Sequence, residues 1–202
     1  KGGQTVISFM NAATMGEDTL STLMSRRVTA LASEKIKDSD GILPVVESMS
    51  EISGITSVLL ASEYLSTTSG GKGVMLGGVT GVTPTEVIII GANTAGEYAA
   101  RAALGLGAIV RVFDTSVHRL RNFQNLLGQR LYTSTFHPQV LQKALKSADV
   151  LIGALSTDIL MPWFYVTEDM VQGMKRGSVI IDLSIDTGGC VETAEPRAVK
   201  DP

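Results

Sequence analysis

Glu86-Val-Ile-Ile-Ile-Gly91-Ala-Asn-Thr-Ala-Gly96-Glu-Tyr-Ala-Ala-Arg-Ala-Ala103 is the stretch that decides the fold. An apolar run ends at Gly91, a short turn follows, and Gly96 opens an alanine-rich helical pattern. A second apolar run, Ile109-Val-Arg-Val-Phe113, then ends at Asp114. Strand, glycine turn, helix and acid-terminated strand in this order are the layout of a dinucleotide-binding unit, the alternative being a structural turn in a Rossmann-like fold without NAD or one binding S-adenosylmethionine. The turn Gly91, Ala92, Asn93, Thr94, Ala95 and Gly96 directs backbone N–H groups and the positive end of a helix at a pyrophosphate. Asp114 stands about 20 residues on, where an acid accepts hydrogen bonds from a ribose, and an acid there favours NAD over NADP. Arg119, on the helix that follows, is within reach of the adenosine end, whereas Arg111 points elsewhere if its strand alternates. One member is irregular, because Asn93 stands where the usual G-x-G-x-x-G has its middle glycine. Two readings of Asn93 stand at this level: it donates to a phosphate, or its side chain crowds the nucleotide. An Asn tolerates the left-handed conformation a turn can demand.

Outward from this unit, strands at Val87–Ile90, Ile109–Phe113, Leu131–Ser134, Val150–Gly153 and Ser178–Leu183 alternate with helices at Ala95–Leu106, Ser116–Leu127, Pro138–Ser147 and Thr167–Met174. That alternation predicts an α/β fold, a Rossmann-type doubly wound parallel sheet with ligands at the carboxyl edge of its strands. Before it, Val45 to Leu65 reads as one long helix from apolar residues at Val45, Met49, Ile52, Ile55, Leu59 and Leu60. The zone ahead of Pro44 carries strand-like runs at Val6–Met10 and Val28–Ala32 around a helical pattern at Asp18–Ser25. The expected organisation is therefore 1–44 as part of a second domain, 45–73 as connecting helix and linker, and 74–190 as the nucleotide domain, followed by 191–202.

With 202 residues, 44% of them hydrophobic, and a mean hydropathy of +0.23, the chain has material for a sizeable core. A net charge of −3 argues against general nucleic-acid binding. The single cysteine, Cys190, excludes an internal disulfide and fits a reducing compartment, taken as the cytoplasm. No apolar run approaches the roughly 18 residues of a membrane span, and no signal-peptide pattern is read. His118 and His137 form no metal-ligand spacing, so no metal is expected, and neither a P-loop nor a Ser-His-Asp pattern is present. The single histidines and Cys190 read as structural.

Two later segments carry chemistry. Gly153-Ala-Leu-Ser-Thr-Asp158 leaves a core strand at the ligand edge, where Ala154, Leu155 and Ser156 either line a nicotinamide channel or form an ordinary strand-to-loop exit. In Ile180-Ile-Asp-Leu-Ser-Ile-Asp186-Thr-Gly-Gly-Cys190, a buried strand runs into two acids and a Gly-Gly turn. Asp186 either orients a substrate amine and assists proton transfer, or caps the turn. Leu160-Met-Pro-Trp-Phe-Tyr165 is unusually apolar for a loop and reads as lid, interface or core.

The chain resembles the alanine dehydrogenase / pyridine nucleotide transhydrogenase family over nearly its whole length, and the resemblance implies that 1–44 is part of a substrate domain to which 191–202 returns. Ser48-Met-Ser-Glu-Ile-Ser-Gly54, Gly71-Lys-Gly-Val-Met-Leu-Gly-Gly78, Ala108–Asp114 and Gly177–Cys190 carry the resemblance together with the Gly91 turn. It implies NAD as cofactor, Ser50 near the nucleotide phosphates, Asp114 on the adenosine ribose, and Ala154 and Leu155 flanking the nicotinamide. It implies that Asp186 matches the catalytic carboxylate of alanine dehydrogenases, which transhydrogenase subunits usually lack. Asn11 falls where those dehydrogenases carry a catalytic histidine; an amide is no base near neutral pH, and here the transhydrogenase pattern is closer. Asn93 departs from the family's glycine-rich turn, and Ser156–Met161 lacks its usual proline-glycine loop. The expected activity is that of an alanine dehydrogenase-like oxidoreductase, interconverting L-alanine with pyruvate and ammonia, in a chain that self-associates and forms the central part of a longer enzyme. A transhydrogenase subunit and a non-catalytic nucleotide-binding module are the alternatives.

Overall fold

The computed structural model describes residues 2–10, 15–155 and 164–198. Its chain contacts divide into two units, 1–50 and 51–202, with the division inside helix α2 (Pro44–Leu65).

In the first unit, β1 (Thr5–Ser8) and β2 (Thr29–Ala32) pair in parallel, Thr5 opposite Thr29, with α1 (Glu17–Ser25) between them in sequence. β1 stops at Ser8 rather than running to Met10, because β2 ends at Ala32 and the next residues coil into a 3-10 turn, Ser33–Lys35. The Met10 N–H donates to the Glu34 carboxylate at 3.1 Å instead of continuing the ladder.

The second unit contains a five-stranded parallel sheet: β3 (Glu86–Ile90), β4 (Ile109–Asp114), β5 (Tyr132–Thr135), β6 (Val150–Gly153) and β7 (Val179–Asp182), in the order β5-β4-β3-β6-β7. Between them lie α3 (Thr94–Gly105), α4 (Val117–Leu127), α5 (Pro138–Leu145) and α6 (Glu168–Gln172). The unbroken Val-Ile-Ile-Ile of β3 follows from burial on both faces, since a parallel sheet covered by helices leaves no polar side. Val87 and Ile89 join one core with Val58, Ala99, Val112 and Phe123. Ile88 and Ile90 turn to the other, with Phe113, Leu141, Leu145 and Leu151. Each fully buried Val, Leu, Ile or Phe side chain among them contributes about 1.5–3 kcal/mol.

Helix ends are set locally. Ser116 caps α4 by accepting the Arg119 N–H, Gly128 ends it in a left-handed turn, and Pro138 occupies the first turn of α5, where its missing N–H costs nothing. α6 is shorter than Thr167–Met174, ending where Gly173 follows Gln172. Among the described residues, no helix is long and apolar enough to cross a membrane.

Candidate nucleotide-binding edge

The carboxyl ends of four neighbouring strands are fastened by backbone hydrogen bonds of 2.7 Å each: Gly91 N–H to the Phe113 carbonyl, Ala154 N–H to that of Ile90, and Leu183 N–H to that of Gly153. The Gly91–Gly96 turn thus leaves the central strand at an edge shared by the loops after β4, β6 and β7. Gly91 has φ 113°, and a Cβ there would collide with the Ala154 carbonyl. A Cβ at Gly96 would collide with the Gly91 carbonyl, so this glycine sets how closely α3 lies on the strand end.

Asn93 has φ −107° and ψ −174°, an extended conformation, so the left-handed tolerance allowed for it from sequence is not used. Its side chain is engaged at both ends. Oδ1 accepts the Gly96 N–H at 3.0 Å, capping α3, and Nδ2 donates to the Ala154 carbonyl at 2.6 Å.

Asp114 ends β4 and is only 1% exposed. Its Oδ2 accepts the Ala92 N–H at 2.8 Å; its Oδ1 accepts the Ser116 N–H at 2.7 Å and Arg119 Nε at 3.0 Å. Arg119 also donates from Nη2 to Thr115 Oγ1 at 3.2 Å. The fold therefore brings Ala92, Asp114 and Arg119 together, and Asn93 with Ala154. Arg111 points away, pairing with Glu86 at 2.9 Å.

Beyond β7, the two acids divide their work. Asp182 holds the following loop: Oδ1 accepts the Ser184 N–H at 2.9 Å and the Ser184 hydroxyl at 2.5 Å, while Oδ2 accepts the N–H groups of Cys190 at 2.7 Å and Val191 at 3.2 Å. Asp186 sits exposed in the 3-10 turn Ile185–Thr187, and no described residue engages its carboxylate. It borders a groove of about 750 Å3 whose lining includes Tyr64, Ile181, Asp182, Glu195 and Arg197. Sequence reading singled out Asp186 and missed the fastening role of Asp182. The available signal was position, since an acid closing a buried parallel strand needs donors.

Cys190 is fully buried, and burial, aided by the charge of Asp182, pushes its thiol well above the ordinary range. This thiol is inert rather than nucleophilic. His118 lies on α4 against Asn122 at 3.0 Å, and His137 precedes Pro138 at the start of α5. Among the described residues there is no cluster of His, Cys, Asp and Glu fit to hold a metal ion. In the apolar loop, Tyr165 stacks on Phe136 with centroids 4.2 Å apart, Val166 is buried, and Phe164 is exposed. Ser50 belongs to the first unit. Asn11, Ser156 and 157–163 lie outside the described residues.

The family model described as "Alanine dehydrogenase/PNT, C-terminal domain" matches residues 57–202. The chain belongs to that family. It is 38% identical over 200 residues to an alanine dehydrogenase of Mycolicibacterium smegmatis, an alignment covering 99% of this chain and 54% of the relative. A solved L-alanine dehydrogenase superposes with a TM-score of 0.91 at 36% identity, covering 100% of this chain and 56% of that one. A transhydrogenase from Sinorhizobium meliloti superposes with a TM-score of 0.76 at 23% identity over 96% of this chain and 57% of its own, a likeness of fold. The chain spans about half the length of the curated relatives it matches.

Proposed function

We propose that this chain is the NAD(H)-binding part of an alanine dehydrogenase, and that it binds the dinucleotide across the Gly91–Gly96 turn. The observation that carries the reading is the place of that turn. It follows the central strand β3, beside the point where the strand order β5-β4-β3-β6-β7 reverses, and ligands of doubly wound sheets bind at such a point. The residues present fit the cofactor. The N-terminus of α3, from Thr94 and Ala95, faces a pyrophosphate with its positive end. Asp114 receives the adenosine ribose once Arg119 yields part of the carboxylate, and Arg119 then flanks the adenosine. Ala154, Leu155 and Ser156 border the nicotinamide in this reading, and the family resemblance adds Ser50 near the phosphates. When bound, the nicotinamide supplies hydride transfer.

Asp186 is the acid proposed to handle protons of the substrate amine. Its carboxylate is exposed, and Asp182 rather than Asp186 holds the turn, which leaves Asp186 available as a base. L-alanine and pyruvate are the proposed substrate pair of the longer enzyme, which we place in the cytoplasm. Self-association belongs to the same reading. α2 is apolar on two faces, with Val58, Ala61 and Leu65 buried and Ile52, Ile55 and Leu59 exposed.

NADH titration, followed by nucleotide fluorescence, tests the reading. The 202-residue chain is expected to bind NADH saturably and more tightly than NADPH, and to form NADH from alanine and NAD at a negligible rate. The motive for the second expectation is Asn11, whose amide cannot replace the family's histidine as a base. Robust alanine oxidation by this chain would overturn the inactivity, and failure to bind NADH would overturn the site.

A further inference from the structure

Strands run outward from β3 through β4 to β5 on one side and from β6 to β7 on the other, so the crevice at the reversal opens between the ends of β3 and β6. Asn93 follows β3 and Ala154 follows β6. The 2.6 Å hydrogen bond from Asn93 Nδ2 to the Ala154 carbonyl therefore bridges the crevice in which a dinucleotide would lie. At the other end of the same carboxamide, Oδ1 takes the Gly96 N–H at 3.0 Å. The backbone N–H groups of a helix's first turn are what such sites offer a phosphate. One of them is here held by an oxygen of the protein itself.

The middle glycine of the fingerprint lets a pyrophosphate approach the backbone closely. The backbone at position 93 does not need a glycine, because φ is −107°. What asparagine changes is the room above the turn and the supply of donors. Its carboxamide fills the former and withdraws the Gly96 N–H from the latter.

We propose that Asn93 is a built-in latch on the nucleotide crevice, an internal substitute for the phosphate that must swing aside before the dinucleotide seats. This rests on the NAD(H) reading above and deepens it. Asn93 then sets the affinity of the site rather than its chemistry, holding the free turn closed against the end of β6. A side chain that only caps α3 makes a different forecast: its removal lowers stability and leaves nucleotide affinity unchanged or weaker. The latch makes the two quantities move in opposite directions.

The test is NADH titration and thermal melting of the full chain with three variants. N93G removes both hydrogen bonds. N93S keeps a hydroxyl cap for the Gly96 N–H, since serine is a good cap, but is too short to reach the Ala154 carbonyl. N93D keeps a capping oxygen and sets a carboxylate against the phosphates. N93G and N93S are expected to bind NADH about tenfold tighter than the parent, equivalent to about 1.4 kcal/mol. N93G should melt at a lower temperature, N93S should melt close to the parent, and N93D should bind more weakly. If N93G fails to fold, N93S carries the test. Unchanged or weaker NADH binding by a folded N93S overturns the latch and leaves the nucleotide reading standing. No binding by the parent or by any variant up to millimolar NADH overturns both.

Discussion

Asp114 gathers four donors on one nearly inaccessible carboxylate: the Ala92 N–H from the turn, the Ser116 N–H from the start of α4, Arg119 Nε and, at 3.5 Å, the Thr115 hydroxyl. Such an acid is at once a structural fastener and the proposed ribose acceptor, and one substitution separates the two roles. In D114A the Ala92 and Ser116 N–H groups lose their acceptor, at a cost of about 1–3 kcal/mol in stability. Arg119 loses its counter-charge and is freed toward the adenosine end. NADH affinity should fall by about tenfold or more, while NADPH affinity should fall less, because the negative charge that repels a 2′-phosphate is gone. Parallel titrations with the two nucleotides, with a melting curve to confirm folding, check this. Equal losses for both nucleotides would count against Asp114 as the discriminating group. Position made this acid readable in the sequence, but its partners were not. Arg119 lies five residues on, and only the turn of α4 brings its guanidinium back onto Asp114.

At the scale of the elements, apolar periodicity fixed strand and helix order well, because a parallel strand buried on both faces has a continuous apolar signature. The amino-terminal edge of the sheet was not legible in this way. Asp149, just before β6, accepts Lys72 Nζ at 2.8 Å, Lys175 Nζ at 3.0 and 3.1 Å, and the Glu86 N–H at 2.9 Å. Lys72 and Lys175 are 77 and 26 residues away in sequence. No local pattern announces such a pairing, and by its residue pattern the segment carrying Lys72 reads as linker. Burial alone would raise the Asp149 carboxyl, but the hydrogen bonds from Lys72, Glu86 and Lys175 outweigh it, and the net direction is below the ordinary 3.8. A carboxyl depressed in the folded state contributes stability that is fully present above its unfolded value and is lost as pH falls through the folded one. At pH 7, D149A should lose on the order of 3 kcal/mol, since it leaves partly buried ammonium groups without their counter-charge. Melting curves of parent and variant should converge as pH drops below 3.8. A gap that stayed constant from neutral to strongly acidic pH would show that the lost stability is packing rather than charge.

For the whole molecule, what the sequence made legible follows the distribution of burial. The 51–202 unit was readable down to the glycine turn because its central strands β3 and β6 are sealed on two faces, and the proposed site lies at the edge that topology dictates. Asn93 was readable as irregular but not as a bridge, because Ala154 is 61 residues away and offers only a backbone carbonyl. The first unit is built on other terms. Every residue of β1 is exposed, β2 is exposed except at its last residue, and α1 buries none of its residues. In β3, Val87 to Ile90 are completely inaccessible, and β6 is buried throughout. Amide hydrogens exchange through local opening where few apolar contacts hold a segment, and through global unfolding where a core does. Hydrogen exchange followed by mass spectrometry on the intact chain should therefore give two regimes. Peptides covering β3, β4 and β6 should exchange only with global unfolding and slow together in a stabilised variant. Peptides covering β1, α1 and β2 should exchange orders of magnitude faster, at rates a stabilising change in the sheet leaves untouched. A single protection factor shared by Thr5–Ser8 and Glu86–Ile90 would mean that the two units unfold as one cooperative body, with the stability of the first supplied by the core of the second.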